Sequence, residues 1–392
     1  MKSVHIRKIL IDKTVKDELF TREIISKFDS SIVELVDADK INFENIPIPR
    51  GKSILFITNY KGNFCKPCPG TSQDYICCNY HVINETTGCP IDCAYCILQS
   101  YMNSRVLTVY ANYPKIFDEF AEFRNQYPKR LFRIGTGELA DSLALEDITG
   151  ISQKLIPYFE SQDNVLFEVK TKTNHIDFLN HILKPLTNLV ISWSLNPAEV
   201  VDNIEFKSDS INARLNAAEF AQSKGIKLAF HFDPIVHHEN WQQNYRDLID
   251  RLFLKIDPNN VTWISLGGLR FPPSLKDTIR NRFPDTFIIR DEQVVGIDQK
   301  LRYFKPIRLE MFREIYSRIR FHSKDVFVYF CMESKDIWEK VTGTSPESTN
   351  HLDYLFAESL YKRFPEMNFS KPDLKYYLEI PGMHDHRYQT IL

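Results

Sequence analysis

The feature that most constrains this chain is Cys89-Pro90-Ile91-Asp92-Cys93-Ala94-Tyr95-Cys96, three cysteines separated by three and then two residues. Thiolates at such spacing hold an iron–sulfur cluster or a zinc ion. A four-iron cluster ordinarily takes four cysteines, so three in one tight loop leave one iron open to a small molecule. A structural zinc site would need a distant fourth ligand. Seven of the eight cysteines fall within residues 65–96. The N-terminal Met1-Lys2-Ser3-Val4-His5-Ile6-Arg7 has no apolar signal core. Together these argue for metal or redox chemistry over a disulfide framework, and for a cytoplasmic protein. No apolar run is long enough to span a bilayer, so no membrane role is expected.

With 392 residues and 43% apolar content, the chain can bury a large core. From about residue 80 strand and helix patterns alternate. Strand candidates are Tyr80–Asn84, Leu131–Thr136, Val165–Lys170, Leu189–Ser194, Lys227–Phe232 and Val261–Leu266. Helical patterns between them include Ile116–Tyr127, Ile148–Phe159, Ile211–Gly225 and Tyr245–Ile256. Alternation of this kind makes a parallel sheet covered by helices. The expected fold is α/β, a partial (β/α)6 barrel over residues 79–341. An N-terminal α/β extension with a Cys-rich loop precedes it (1–78), and a more polar C-terminal elaboration follows (342–392). The cysteine loop comes after the first strand, at the end where such folds carry their working residues.

Other strand ends offer candidate ligands. The second strand runs into Gly135-Thr136-Gly137-Glu138, where glycines let a backbone approach a bound molecule. Lys172, Ser194 and Asn196 stand at the next two strand ends and suit a carboxylate and hydroxyls. Gly267-Gly268, at the sixth, suits close packing over an adenine. Cys331 ends the apolar run Val326–Cys331 and is a candidate thiol at the barrel mouth. Cys65, Cys68, Cys77 and Cys78 precede the first strand. An adjacent Cys77-Cys78 pair is not usual zinc spacing.

The C-x3-C-x2-C spacing, with an aromatic residue before the last cysteine, resembles the radical S-adenosylmethionine (radical SAM) signature. The Tyr95–Gln99 segment, Lys172 in its Thr-Lys-x-x-His context, Ser194-Leu195-Asn196, Asp233-Pro234-Ile235, Arg214 within Ala213–Ala218, and Leu269-Arg270-Phe271 are similar to spore photoproduct lyase and its relatives. The resemblance implies a 4Fe-4S cluster held by Cys89, Cys93 and Cys96. It implies S-adenosyl-L-methionine bound by Gly135, Thr136, Gly137, Glu138, Lys172, Ser194, Asn196 and Arg214, with Tyr95 near the adenine or in a radical relay. The activity implied is lysis of a carbon–carbon cross-link in damaged DNA. An electron donor such as flavodoxin or ferredoxin is implied as well. The family's hydrogen-donor cysteine lies at the end of the second strand, where this chain has Glu138. Cys331 is the expected substitute.

The net charge of −2 excludes a globally basic nucleic-acid binder. Locally, residues 270–324 hold 13 Lys and Arg against 7 Asp and Glu. Lys300, Arg302 and Tyr303 combine basic and aromatic groups suited to phosphate contact and base stacking. A lesion in a duplex must be turned out of the helix to reach a barrel mouth. Competing readings are radical chemistry on a small molecule, RNA or peptide, and a zinc-binding module without catalysis. His384-Asp385-His386 is expected to be solvated.

Overall fold

The computed structural model describes residues 4–69, 75–367 and 369–380; His384-Asp385-His386 lies outside them. The apolar runs become one curled sheet of seven parallel strands: β1 (His81–Ile83), β2 (Phe132–Thr136), β3 (Val165–Thr171), β4 (Leu189–Ser194), β5 (Lys227–Ile235), β6 (Val261–Gly268) and β7 (Phe327–Phe330). Each lies beside its sequence neighbour. That order follows when every crossover is right-handed and turns the same way. The antiparallel strand Cys65–Pro67 closes the β1 edge. The partial barrel expected from the sequence is therefore present, with Val326–Cys331 supplying a seventh strand. Every residue of β4 and β6 is buried, as parallel strands covered on both faces must be.

Helices Lys115–Gln126, Ile151–Glu160, Ile211–Ser223, Trp241–Lys255 and Lys305–His322 cover the outer face. Between β3 and β4 the crossover is only a 3₁₀ turn, Asp177–His181.

The N-terminal extension is not closed at residue 78. Its five-stranded sheet runs Val33–Val36, Lys8–Asp12, Ile54–Thr58, Leu107–Tyr110, Thr86–Thr87. The last two strands come from the segment assigned to the barrel. Leu107–Tyr110 is buried throughout and pairs in parallel with Ile54–Thr58, while Thr86–Thr87 pairs with it antiparallel. Residues 88–106, which carry the three cysteines, thus leave and re-enter one sheet at adjacent points. Ile9, Leu55 and Leu107 share a continuous core with the barrel strands.

The C-terminal elaboration is also built in. Helix Thr349–Arg363 buries Leu352, Phe356 and Leu360, spaced as one helical face. Phe356 meets the rings of Trp263, Phe327 and Tyr329. Asp353 pairs with Arg130 at 2.8 Å and Arg133 at 3.6 Å.

Candidate active site

The cysteine loop is held by side chains from three directions. Lys52 Nζ donates to the carbonyls of Cys89 (2.7 Å) and Ile91 (2.5 Å). Gln99 Nε2 donates to those of Cys93 (3.2 Å) and Ala94 (2.9 Å). Arg282 reaches both oxygens of Asp92 at 3.0 Å and also bonds Gln99 Oε1. Asp92–Cys93 forms a short antiparallel ladder with Glu205–Phe206. Cys89, Cys93 and Cys96 pack together with Ile91, Tyr95 and Ala144. Burial pushes the Cys89 thiol up to about 12 and Cys93 well above its usual range. An isolated thiolate is therefore disfavoured here, and these sulfurs would act as thiolate ligands only with a bound metal to compensate the charge.

The residue that joins this loop to the strand ends is Glu205. It was not among the sequence candidates, because Glu199, Asp202, Lys207 and Asp209 around it make it look like one more surface charge. Its carboxylate is 1% exposed. It accepts from Arg214 Nη2 at 2.6 Å, from Asn196 Nδ2 at 3.0 Å and from the Tyr95 hydroxyl. Burial works against the charge, but Arg214 and Lys172 outweigh it and bring the group down to about 2. Lys172, opposed by burial but supported by Glu205 and Cys93, is raised. Its ammonium stands 5.9 Å from the centroid of the Tyr95 ring. Its backbone N–H donates to Asp141 Oδ2 at 2.7 Å.

Arg214, fully buried, has its guanidinium engaged by Glu205, the Ser194 and Asp209 carbonyls, and Ser208. Asn196 uses its amide on Glu205 and its oxygen on the Tyr245 hydroxyl (2.7 Å). Both residues therefore position their neighbours. Lys172 and Tyr95 are the members of the group that remain half-buried.

The glycines also do structural work within the fold. A Cβ at Gly135 would meet the Glu168 carbonyl at 2.1 Å and the Tyr80 hydroxyl at 2.2 Å, so packing within the sheet requires that glycine. One at Gly267 would meet Asp233 Oδ1 at 2.5 Å; the space taken for an adenine cradle holds the Asp233–Arg270 pair. Gly137 has φ +96° and turns the chain so that Thr136 Oγ1 donates to Ser142 Oγ at 2.7 Å. Glu138 follows, half-buried, and burial raises its carboxyl.

Inside the barrel His231 contacts Glu168 Oε1 through Nε2 and Ser265 Oγ through Nδ1, both at 2.7 Å. Burial opposes the Glu168 charge, but His231 brings it to about 2 from an ordinary 4.5. A carboxylate depressed on folding stabilises the fold above its unfolded value, and that contribution is lost as pH falls from about 4.5 towards 2. Glu168→Gln is expected to flatten this limb by on the order of 3 kcal/mol. Urea unfolding from pH 6 down to pH 2 measures it, and equal slopes in variant and parent would refute it.

Nearer the mouth, Arg270 grips Asp233 at 3.0 and 3.2 Å and donates to Cys331 Sγ at 3.2 Å. Burial raises the Cys331 thiol well above its usual range, Arg270 opposing. Cys331 packs beside Tyr75, Cys77 and Met332, so the Cys-rich segment folds back onto the end of β7.

The basic and aromatic candidates are corrected by the structure. Arg302 and Tyr303 are each 1% exposed. Arg302 is held by Asp298 (2.6 Å) and Glu333 (3.5 Å), and the Tyr303 hydroxyl accepts from the His237 N–H at 3.1 Å. A composition count registers charge but not its pairing. Lys300 is half-buried, 3.9 Å from Asp298. Neither Arg302 nor Tyr303 offers a surface to nucleic acid.

The donor set fits a cluster held at three corners. Among the described residues, no group of three or more His, Cys, Asp or Glu side chains is drawn together as ligands of one metal ion. A four-iron cube takes its thiolates at separate corners and lets them stand further apart. Three thiols in one loop, above the strand ends of a curled parallel sheet, with Lys172 and Glu205 beside them, define a protein of the radical SAM class.

Within that class the chain belongs to the spore photoproduct lyase family, whose sequence model matches residues 75–305. It is 27% identical over 217 residues to spore photoproduct lyase of a Geobacillus species, covering 54% of this chain and 63% of that protein. The Clostridium acetobutylicum lyase is 22% identical over 298 residues, 73% of this chain and 85% of the relative. A solved spore photoproduct lyase variant with dinucleoside spore photoproduct superposes with TM-score 0.73 at 21% identity, over 84% of this chain and all of that one. A variant with bound AdoMet and the same dinucleoside gives 0.72. The match spans less than two thirds of the Geobacillus relative. No helix among the described residues is long and apolar enough to cross a membrane.

Proposed function

We propose that this protein is a radical SAM lyase that repairs a cross-linked pyrimidine in DNA. The observation that carries the reading is the Glu205 hub, which ties the cysteine loop to Lys172, Tyr95, Asn196 and Arg214. Cys89, Cys93 and Cys96 would hold a 4Fe-4S cluster, and S-adenosylmethionine at its open corner would supply a 5′-deoxyadenosyl radical. The chain's own residues do the rest. Lys172, kept charged by Glu205, is placed to bind a carboxylate. Gly137 turns the strand end so that Ser142, bonded to Thr136, also accepts from the Lys170 N–H at 3.0 Å. The curled sheet and its covering helices exclude water.

Glu138, where relatives have their donor cysteine, cannot return a hydrogen atom. Cys331 is the substitute we infer, because Arg270 holds its sulfur at the end of β7. All eight cysteines are free, which suits a reducing compartment, and we place the protein in the cytoplasm. The burial of Arg302 and Tyr303 removes part of the surface expected for a duplex, and favours as second reading the same radical chemistry on an RNA, peptide or small molecule.

The test is anaerobic turnover with an ultraviolet-irradiated oligonucleotide, followed by mass spectrometry of the nucleosides. Loss of the lesion with restored thymidine supports repair. SAM cleavage that leaves the lesion untouched, with no retardation of damaged DNA at low salt, moves the reading to another substrate. For Cys331→Ala the expected outcome is retained 5′-deoxyadenosine formation with repaired product down about tenfold or more. An undiminished yield removes Cys331 from the mechanism.

A further inference from the structure

A cavity of about 910 Å3 lies behind the cysteine loop. Its walls include Arg7 and Lys8 at the first N-terminal strand, Arg50 and Lys52 before Ile54–Thr58, and Pro90 and Lys207. Among the described residues no Asp or Glu lines it. Lys8 is paired with Glu34 at 2.7 Å. Arg7, Arg50 and Lys207 are exposed and form no ion pair among the described residues. The cavity and the cysteine loop share their walls: Lys52 donates to the Cys89 carbonyl, and Lys207 follows the strand Glu205–Phe206 that pairs with Asp92–Cys93. Lys170, Asp233, Arg270 and Cys331 do not line it, so an occupant would leave the barrel mouth open to substrate.

We propose that this basic cavity docks an acidic one-electron carrier protein, which passes its electron to the cluster across the Cys89–Pro90 segment. The proposal rests on the radical SAM reading of the site. In the step one electron leaves the carrier's reduced centre and enters the cluster, which goes from the 2+ to the 1+ state; no bond is made or broken. Lys52 is paired with Asp92 at 3.4 Å, but the exposed charges of Arg7, Arg50 and Lys207 attract an acidic partner and steer its approach. Redox encounters of this kind bury little area and are weak. A nucleic-acid backbone would be attracted as well, but a lesion held here would sit behind the loop, away from the strand ends.

The test reverses three exposed charges, Arg7→Glu, Arg50→Glu and Lys207→Glu, using a flavodoxin as the probe. Binding of oxidised flavodoxin is measured on the metal-free chain at low and high salt. Reduction of the reconstituted cluster is followed by absorbance, with flavodoxin hydroquinone and separately with reduced methyl viologen. We expect flavodoxin binding and flavodoxin-driven reduction to fall roughly tenfold to a hundredfold at low salt. The salt dependence should flatten, and the viologen rate should hold. Unchanged flavodoxin binding and rate overturn the proposal. So does a loss of duplex-DNA binding with flavodoxin unaffected, which assigns the cavity to nucleic acid. A parent protein that assembles no four-iron cluster on anaerobic reconstitution sinks the radical SAM reading itself. Should the triple variant fail to fold, Lys207→Glu alone carries the same test with a fall of about twofold to tenfold.

Discussion

Cys93→Ala is expected to abolish iron loading and, with it, all 5′-deoxyadenosine formation from SAM. Cys93 is the middle thiol of the loop and its most buried, at 6% exposure. It has Cys89 and Cys96 among the groups acting on its charge. Alanine removes the sulfur and little else. The pairing of Cys93 with Glu205 and the bond from the Ala94 N–H to the Ile204 carbonyl (2.8 Å) are made by backbone, and they survive the change. Two thiolates cannot hold a cube that needs a third, so the variant should be colourless while keeping the parent's circular dichroism. Iron per chain after anaerobic reconstitution, and the yield of 5′-deoxyadenosine under dithionite, give the answer. A variant that loads four irons and cleaves SAM at the parent's rate would show that the cluster is held elsewhere. Cys65, Cys68, Cys77 and Cys78 would then be the donors to examine. A parent that stays colourless and binds one zinc would support the module without catalysis.

What could be read in the chain beforehand was what local pattern encodes. The barrel strands announced themselves because a strand covered on both faces is a continuous apolar run, and Leu189–Ser194 came out with the bounds it has in the fold. The cysteine loop was legible because cluster ligation needs sulfur at fixed short spacing. Leu107–Tyr110 was not, since a four-residue Leu-Thr-Val-Tyr run after a loop does not declare which sheet it joins. Its partner, Ile54–Thr58, lies some fifty residues earlier. The helix Thr349–Arg363 hid among polar residues, although Leu352, Phe356 and Leu360 stand four apart. The basic count around residue 300 misled for a physical reason. Arg302 and Arg308 neutralise the buried Glu333, and this pairing runs between distant segments. Glu205 escaped for the same reason. Its partners Tyr95, Asn196 and Arg214 come from three elements, and only the folded chain brings them together.

Glu205→Ala is the second large effect, and it separates a hub from a bystander. The carboxylate is the counter-charge for Arg214 and Lys172 in a place that water does not reach. Removing one partner of a buried pair leaves the other charged and uncompensated, at a cost of about 3–5 kcal/mol. The metal-free variant should therefore unfold at a distinctly lower urea concentration than the parent. Stability alone would not show that Glu205 serves the site, so a second readout is needed. Glu205→Gln keeps the size of the side chain and an oxygen for Tyr95 and Asn196, but presents an amide to Arg214. It should fold better than the alanine variant, yet still deprive Lys172 of the charge that supports it. In reconstituted protein, SAM binding should weaken by roughly tenfold to a hundredfold, the range found when partners behind a metal centre are lost. The parent's affinity for SAM in Glu205→Gln would reduce Glu205 to a structural ion pair. A parent-like urea midpoint in Glu205→Ala would show that the buried charges find compensation elsewhere.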